Sequence, residues 1–252
     1  MTARPAATPL VSIVTVVLNG AETLERTLRS VFDQGFEDLD YVVIDGGSTD
    51  GSLDIIRKYE SRIGYWCSEP DKGLYDAMNK GVRAAKGRWI LFLGADDELV
   101  ARLADIVPLL KDEQTVYYGD VYMPRQRLTY DGAFSAYKIM FKNICQQAIF
   151  YPRRAFELRG FDTRYRLWAD YAFNIACYGD KRFRFSYIEK LVCLYNDYTG
   201  LSAHTEDAEF QADRESLIRA HLPFRLFLAY LFRIRLAKFN FWCSTLLRRW
   251  WS

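Results

Sequence analysis

Between Leu10 and Leu99 the chain carries four short, largely apolar runs, each closed by a polar turn and followed by a different periodicity. The first, Val11-Ser-Ile-Val-Thr-Val-Val17, is β-branched almost throughout and reads as a buried strand. After Leu18-Asn19-Gly20, the residues Ala21, Leu24, Leu28 and Val31 recur at helical spacing. Tyr41 to Ile44 is a second strand ending in Asp45-Gly46-Gly47, where Ser48 or Thr49 can cap a helix that buries Leu53, Ile56 and Tyr59. Tyr65 to Cys67 is a short third strand. The helix after it carries Leu74, Ala77, Met78, Gly81, Val82 and Ala85 on one side and stops at Lys86-Gly87. Trp89 to Leu93 is the fourth, ending at Gly94-Ala95-Asp96-Asp97. Strands that are apolar on both faces and alternate with helices predict an α/β fold, a Rossmann-like and mostly parallel sheet flanked by helices.

In an open sheet of that kind ligands bind outside the carboxyl ends of the strands. Asn19, Asp45, Ser48, Asp50, Asp96 and Asp97 all fall there. Asp45-Gly-Gly-Ser-Thr-Asp50-Gly51 has the glycines to turn sharply and approach a ligand, although an ordinary strand-to-helix turn has the same composition. Asp96 and Asp97 are adjacent carboxylates that repel, so they call for a compensating partner. A hard divalent cation shared with substrate phosphates suits them, and so does a helix N-cap. Glu69 to Gly81 mixes acids, cations and an amide where the crevice should open, or forms a solvated loop and helix face.

Together these segments resemble the inverting glycosyltransferases of family 2, which have the GT-A fold. Val11 to Asn19, Val43-Ile-Asp-Gly-Gly-Ser-Thr-Asp-Gly51, Asp71-Lys-Gly-Leu-Tyr-Asp-Ala-Met-Asn-Lys-Gly81 and Phe92-Leu-Gly-Ala-Asp-Asp97 are similar to four successive family motifs. The likeness continues through Tyr118-Gly-Asp-Val121, Gln147-Ala-Ile-Phe-Tyr151, Gly160-Phe-Asp162 and Trp168-Ala-Asp-Tyr171, covering about Pro9 to Ser202. The variant is most similar to bacterial enzymes that build surface polysaccharides and glycolipids.

The resemblance implies roles. Asp45 would contact the nucleotide base near Thr15, Val17 and Asn19, with Ser48, Asp71 and Asn79 completing the donor site. Asp96 would approach the ribose or first phosphate, and Asp97 would bind Mn²⁺ or Mg²⁺ bridging the diphosphate. Asp170 falls where the family places its catalytic base. His204 is a candidate for reaching the metal or diphosphate from a loop, set against a solvated loop histidine. The implied donor is a UDP-, GDP- or dTDP-linked sugar, and the implied acceptor a saccharide or a lipid-linked hydroxyl. Two positions depart from the pattern. Gly94 stands where the family's aspartate-x-aspartate begins, and Gln146 stands where relatives often have histidine.

The second half reads as a strand over Val116 to Tyr122, a turn at Tyr130-Asp131-Gly132, a helix over Asp170 to Tyr178 and a strand over Phe183 to Ile188. A glycosyltransferase domain over 1–220 is expected, with a nucleotide-sugar half over 9–100 and an acceptor half over 101–220. A helical, aromatic and basic tail over 221–252 either lies in a membrane interface or packs on the domain or on a second subunit. Lys and Arg total 34 against 32 Asp and Glu, a balance that gives no argument for nucleic acid. Five scattered cysteines without CxxC pairs argue for reduced thiols and a cytoplasmic protein, peripheral on the inner face of the cell membrane if the tail binds it. Residues 1–9 have no apolar h-region, so a secretory signal is not expected. A sugar-phosphate nucleotidyltransferase would share the crevice but should carry a Gly-rich basic loop after its first strand, where this chain has Leu18-Asn19-Gly20. A non-catalytic nucleotide-sugar-binding protein would keep the binding motifs without needing Asp170.

Overall fold

The structure is a computed structural model that describes residues 9–198 and 207–250, with side chains up to 237. The strands are β1 Val11–Val17, β2 Leu39–Asp45, β3 Tyr65–Ser68, β4 Trp89–Phe92, β5 Glu98–Leu99, β6 Thr115–Met123, β7 Leu128–Tyr130, β8 Ile149–Pro152 and β9 Arg184–Leu194. The helices are α1 Ala21–Phe32, α2 Ser52–Lys58, α3 Leu74–Ala84, α4 Leu103–Ile106, α5 Arg153–Leu158, α6 Ala169–Gly179, α7 Ala208–His221 and α8 Phe224–Trp250.

The strands form one sheet in the order β3-β2-β1-β4-β8-β6-β9-β5, with β7 added to β6. β1 pairs parallel to both β2 and β4, and β2 parallel to β3. Beyond β4 the sheet is mixed: β8 runs antiparallel to β4 and β6, β9 parallel to β6, and β5 and β7 antiparallel to their neighbours. The mostly parallel sheet expected is therefore parallel throughout its first four strands and mixed beyond them. Their βαβ crossovers put helices on both faces and demand apolar residues on both. Alternation does the sorting: Val14, Val16, Val42, Ile44, Ile90 and Phe92 face one core, while Ile13, Val17, Tyr41, Val43, Trp89 and Leu91 face the other.

α3 lies directly on β1 because residue 81 is glycine. A Cβ there would overlap the Val14 side chain. The C-terminal helices join the α3 side, where Phe210, Ile218, Leu222, Phe227 and Tyr230 pack into the same core as α6. Asp207 caps α7 by accepting from Phe210 N at 3.2 Å. Its other oxygen accepts from Leu167 N and Trp168 N at 2.8 and 3.1 Å, tying the start of α7 to the segment that leads into α6. Pro223 separates α7 from α8. Among the described residues, no helix is long and apolar enough to cross a membrane.

Candidate active site

A cavity of about 1050 Å³ opens at the carboxyl ends of β1 and β4, between the parallel half of the sheet and the segment 141–147, α6 and α7. The turns after β1 and β2 build its rim by bonding to each other. Asn19 is held in the left-handed region at φ 54°, its N–H donates to Ser48 Oγ at 2.8 Å, and its Oδ1 accepts from Thr49 N at 2.9 Å. Asp50 accepts from Ala21 N at 2.9 Å, which fixes the start of α1 against the same loop. Asp45 is wholly buried behind Gly46, and its Oδ2 accepts from Gly47 N, Ser48 N and Ser68 Oγ at 3.1, 3.0 and 2.6 Å. Its Oδ1 has no hydrogen-bond partner among the described residues. Asp71 lines the cavity and pairs with Lys80 at 2.5 Å, and Lys80 also reaches Glu69 at 2.8 Å.

Asp96 and Asp97 sit at the cavity floor. Asp97 is 1% exposed. One of its oxygens accepts from Asn196 N at 2.8 Å, and the Asn196 side-chain amide donates to Asp96 Oδ2 at 2.9 Å. Burial, and then the neighbouring charge of Asp96, push the Asp97 carboxyl up to about 7, against hydrogen bonds from Asn196 N, the Gln147 side chain and the Gly94 backbone. Residue 94 being glycine keeps room above the pair: a Cβ there would lie 2.5 Å from Asp97 Oδ2 and 3.0 Å from Asp96 Oδ1. Among the described residues, no group of three or more His, Cys, Asp or Glu side chains could hold a metal by itself. Two crowded carboxylates at the floor of a cavity, one of them costly to ionise, do fit a hard cation whose remaining ligands are phosphate oxygens and water.

Asp170 lies at the start of α6 and is 7% exposed. Its Oδ1 accepts from Tyr75 OH at 2.6 Å and its Oδ2 from Asn143 Nδ2 at 2.6 Å. Burial raises its pKa, while the Tyr75 and Asn143 hydrogen bonds pull it down. The result is a buried carboxylate that is held at both oxygens and still lines the cavity. Trp168, Tyr171, Phe141 and Tyr130 make the nearby wall aromatic. Arg214 of α7 donates to Met140 O at 2.8 Å and to Tyr171 OH at 3.2 Å.

Of the residues singled out from sequence, Val17, Asn19, Asp71, Asp96, Asp97 and Asp170 line this one cavity. Asp45 and Ser48 stand immediately behind it through the bonds given above. Thr15 is buried in β1 and hydrogen-bonds to Tyr41 OH at 3.0 Å. Asn79 pins the 160–161 turn, its Nδ2 donating to Phe161 O and its Oδ1 accepting from Phe161 N, both at 2.9 Å. His204 lies outside the described residues. Sequence reasoning missed Tyr75, Asn143 and Asn196. Tyr75 falls inside the Asp71–Gly81 motif, but nothing in the surroundings of Asn143 or Asn196 marks them. Gln146 is 7% exposed in the cavity wall, and its Nε2 has no hydrogen-bond partner among the described residues.

Comparison with known proteins gives this site a context. Residues 12–192 match the family model described as glycosyl transferase family 2. A "PGL/p-HBAD biosynthesis glycosyltransferase" of Mycobacterium bovis is 41% identical over 214 residues, covering 81% of this chain and 83% of that one. Among solved structures, S. aureus TarS 1-349 in complex with UDP-GlcNAc superposes with a TM-score of 0.67 at 18% identity, covering 84% of this chain and 66% of that one. The mannosyltransferase PcManGT from Pyrobaculum calidifontis, in complex with GDP-Man and Mn²⁺, gives 0.59 at 21% identity, covering 91% and 66%.

Proposed function

The chain belongs to glycosyltransferase family 2, and from that premise we propose that it transfers a sugar with inversion from a nucleoside-diphosphate donor to an acceptor hydroxyl in bacterial glycolipid or polysaccharide synthesis. The observation that carries this reading is the opening of two separate carboxylate centres onto one cavity: the Asp96–Asp97 pair after β4 and Asp170 on α6.

The donor half belongs to the turns after β1, β2 and β4. Asn19 and the Asp45 loop form the nucleotide end, with Asp45 buried behind Gly46 and bracing that loop through Gly47 N, Ser48 N and Ser68 Oγ. UDP-, GDP- and dTDP-sugars all fit the reading, and the structural relatives hold UDP-GlcNAc and GDP-Man. Asp97 and Asp96 would hold Mn²⁺ or Mg²⁺, which when bound supplies Lewis-acid stabilisation of the departing diphosphate. The chain's own share is to keep both carboxylates crowded through Asn196 and to leave the space above Gly94 open.

Asp170 acts at the other end. With Oδ1 and Oδ2 each accepting one protein hydrogen bond, a lone pair remains for the acceptor hydroxyl. Asp170 takes the hydroxyl proton as that oxygen bonds to the anomeric carbon, and the carbon–oxygen bond to the diphosphate breaks with its electron pair on the leaving group. General-base help of this kind contributes about 10²–10⁴-fold. Burial brings the Asp170 pKa up from its ordinary value, which suits a base.

An acceptor carried by a lipid suits the aromatic wall and the helix beside it. Phe141 lines the cavity and stacks on Tyr230 of α8 with ring centroids 5.5 Å apart. Further along α8, Phe224, Leu228, Phe232 and Leu236 recur every four residues and are all exposed, Phe224 by 67% and Phe232 by 70%. α8 has no acidic residue and carries Arg225, Arg233, Arg235, Lys238, Arg248 and Arg249. An exposed apolar stripe on a helix with basic residues and no acidic ones suits the headgroup region of an anionic bilayer. We therefore place the protein in the cytoplasm, peripheral on the inner face of the membrane.

The donor reading is tested by melting the protein with UDP, GDP, dTDP and CMP, each with and without Mn²⁺. A nucleotide at about 100 times its dissociation constant stabilises by roughly 2.7 kcal/mol. One diphosphate is expected to raise the melting temperature in a metal-dependent way. No shift with any of the four would count against the donor site.

A further inference from the structure

Behind Asp170 three side chains stand in one line of hydrogen bonds. Tyr151 OH, on β8, donates to Asn174 Oδ1 at 2.8 Å. Asn174, one turn along α6 from Asp170, donates from Nδ2 to Asn143 Oδ1 at 2.9 Å. Asn143 in turn donates from Nδ2 to Asp170 Oδ2 at 2.6 Å. Tyr151 and Asn174 are wholly buried and do not line the cavity, so neither can touch substrate. The Asn143 backbone is held separately, its carbonyl accepting from Tyr130 OH at 2.7 Å.

The line has a direction. A side-chain amide can meet a carboxylate with its NH₂ or with its carbonyl, and only the first is attractive. For Asn143 the choice is fixed because its carbonyl already accepts from Asn174, whose own carbonyl is occupied by the Tyr151 hydroxyl. Every donor in the line therefore points towards Asp170. A tyrosine hydroxyl can donate or accept, so the reverse order is also bonded along the line, but it would take the acceptor from the buried Tyr151 proton and turn the Asn143 carbonyl towards the carboxylate.

We propose that Asn174 and Tyr151 are positioning residues, which lock the Asn143 amide so that it donates to Asp170 and holds that carboxylate oriented as the proton acceptor. The proposal rests on the reading of Asp170 as the base. The other titratable groups that face Asp170 are Tyr75 of α3, Tyr130 of β7, Cys145, Tyr151 of β8 and its neighbour Tyr171, with Arg214 of α7 reaching it through Tyr171. Burial pushes the tyrosines and the thiol upward, so they stay protonated through the acid range where a carboxylate base titrates. The Tyr75 and Asn143 hydrogen bonds remain as the main influences that favour ionised Asp170.

The test is kcat/KM against pH at saturating Mn²⁺ for wild type, Asn143→Ala, Asn174→Leu and Tyr151→Phe, with Asp170→Asn alongside and nucleotide binding followed by melting. Removing a hydrogen bond to a charged group should cost Asn143→Ala roughly tenfold or more at the acid end. Asn174→Leu and Tyr151→Phe should lose less, the deficit should close as pH rises, and nucleotide binding should be unchanged in all three. A merely structural role would lower the rate equally at every pH. An acid limb that shifts in Asn143→Ala but stays in place in Tyr151→Phe, or that stays in place in both, overturns the proposal, and those two variants decide it even if Asn174→Leu does not fold. Asp170→Asn that keeps its turnover and its acid limb would instead remove the base on which the proposal rests.

Discussion

Asp97 shows how one carboxylate can couple stability, pH and metal. Its pKa is 3.8 ordinarily and about 7 in the folded chain, because burial and Asp96 both oppose ionisation. Between those values the folded state keeps a proton that the unfolded state has released. The stabilisation from this group is therefore complete below its ordinary value and lost as pH rises through about 7. Its full extent is of the order of a few kcal/mol at most. Metal-free wild type should lose melting temperature relative to Asp97→Asn between about pH 4 and 7. Parallel curves for the two proteins would contradict the assignment. Mn²⁺ competes with the proton, so its stabilising effect should grow over the same range and be absent in the variant. Gly94→Ala should also lose metal-dependent nucleotide binding, since the added Cβ would crowd both carboxylates. A variant that still shows the metal-dependent shift would mean that the space above Gly94 is not used.

Among elements, the contact of α3 with β1 is a tight joint within the parallel half of the sheet. Gly81→Ala forces a methyl into Val14, and overpacking of this kind typically costs about 1–3 kcal/mol. Urea unfolding should show that loss, and an unchanged midpoint would mean that α3 can move away freely. The strands most legible in the sequence were β1, β2 and β4, whose burial on both faces required largely apolar runs. β8 was not legible. Ile149-Phe-Tyr-Pro152 is four residues long, and periodicity cannot assign so short an apolar run. The antiparallel turn of the sheet was hidden with it. α7 was missed because its exposed positions are charged and its contact rests on few residues, chiefly Phe210 and Ile218. The acids of the site could be found because they end apolar strands or sit in a recognisable motif. Asn143, Asn174 and Asn196 could not, because their importance lies in which side chain they meet across the fold. Thr15 and Asn79 mark the converse. Both fall within motifs, yet their polar atoms engage Tyr41 and Phe161.

At the scale of the whole molecule, the proposed function asks two surfaces to work together: the cavity at the strand ends and the exposed stripe of α8 next to its aromatic wall. The protein should sediment with vesicles containing anionic phospholipid and less with purely zwitterionic ones. Phe232→Ser with Leu236→Ser should weaken that binding while leaving the nucleotide-induced melting shift intact. Equal binding to neither vesicle, with a concentration-dependent dimer in its place, would assign the stripe to a second copy of the chain.

The most direct measurement of the central claim is release of nucleoside diphosphate from a panel of UDP-, GDP- and dTDP-sugars, with Mn²⁺ and a bacterial lipid extract as acceptor. Wild type, Asp97→Asn and Asp170→Asn should be run side by side. One donor should be consumed by wild type, with the sugar recovered on an acceptor in inverted configuration. Asp97→Asn should lose both donor binding and turnover. Asp170→Asn should keep donor binding and lose turnover by about 10²-fold or more. Undiminished transfer in Asp170→Asn, or a product that retains the donor's anomeric configuration, would contradict the account.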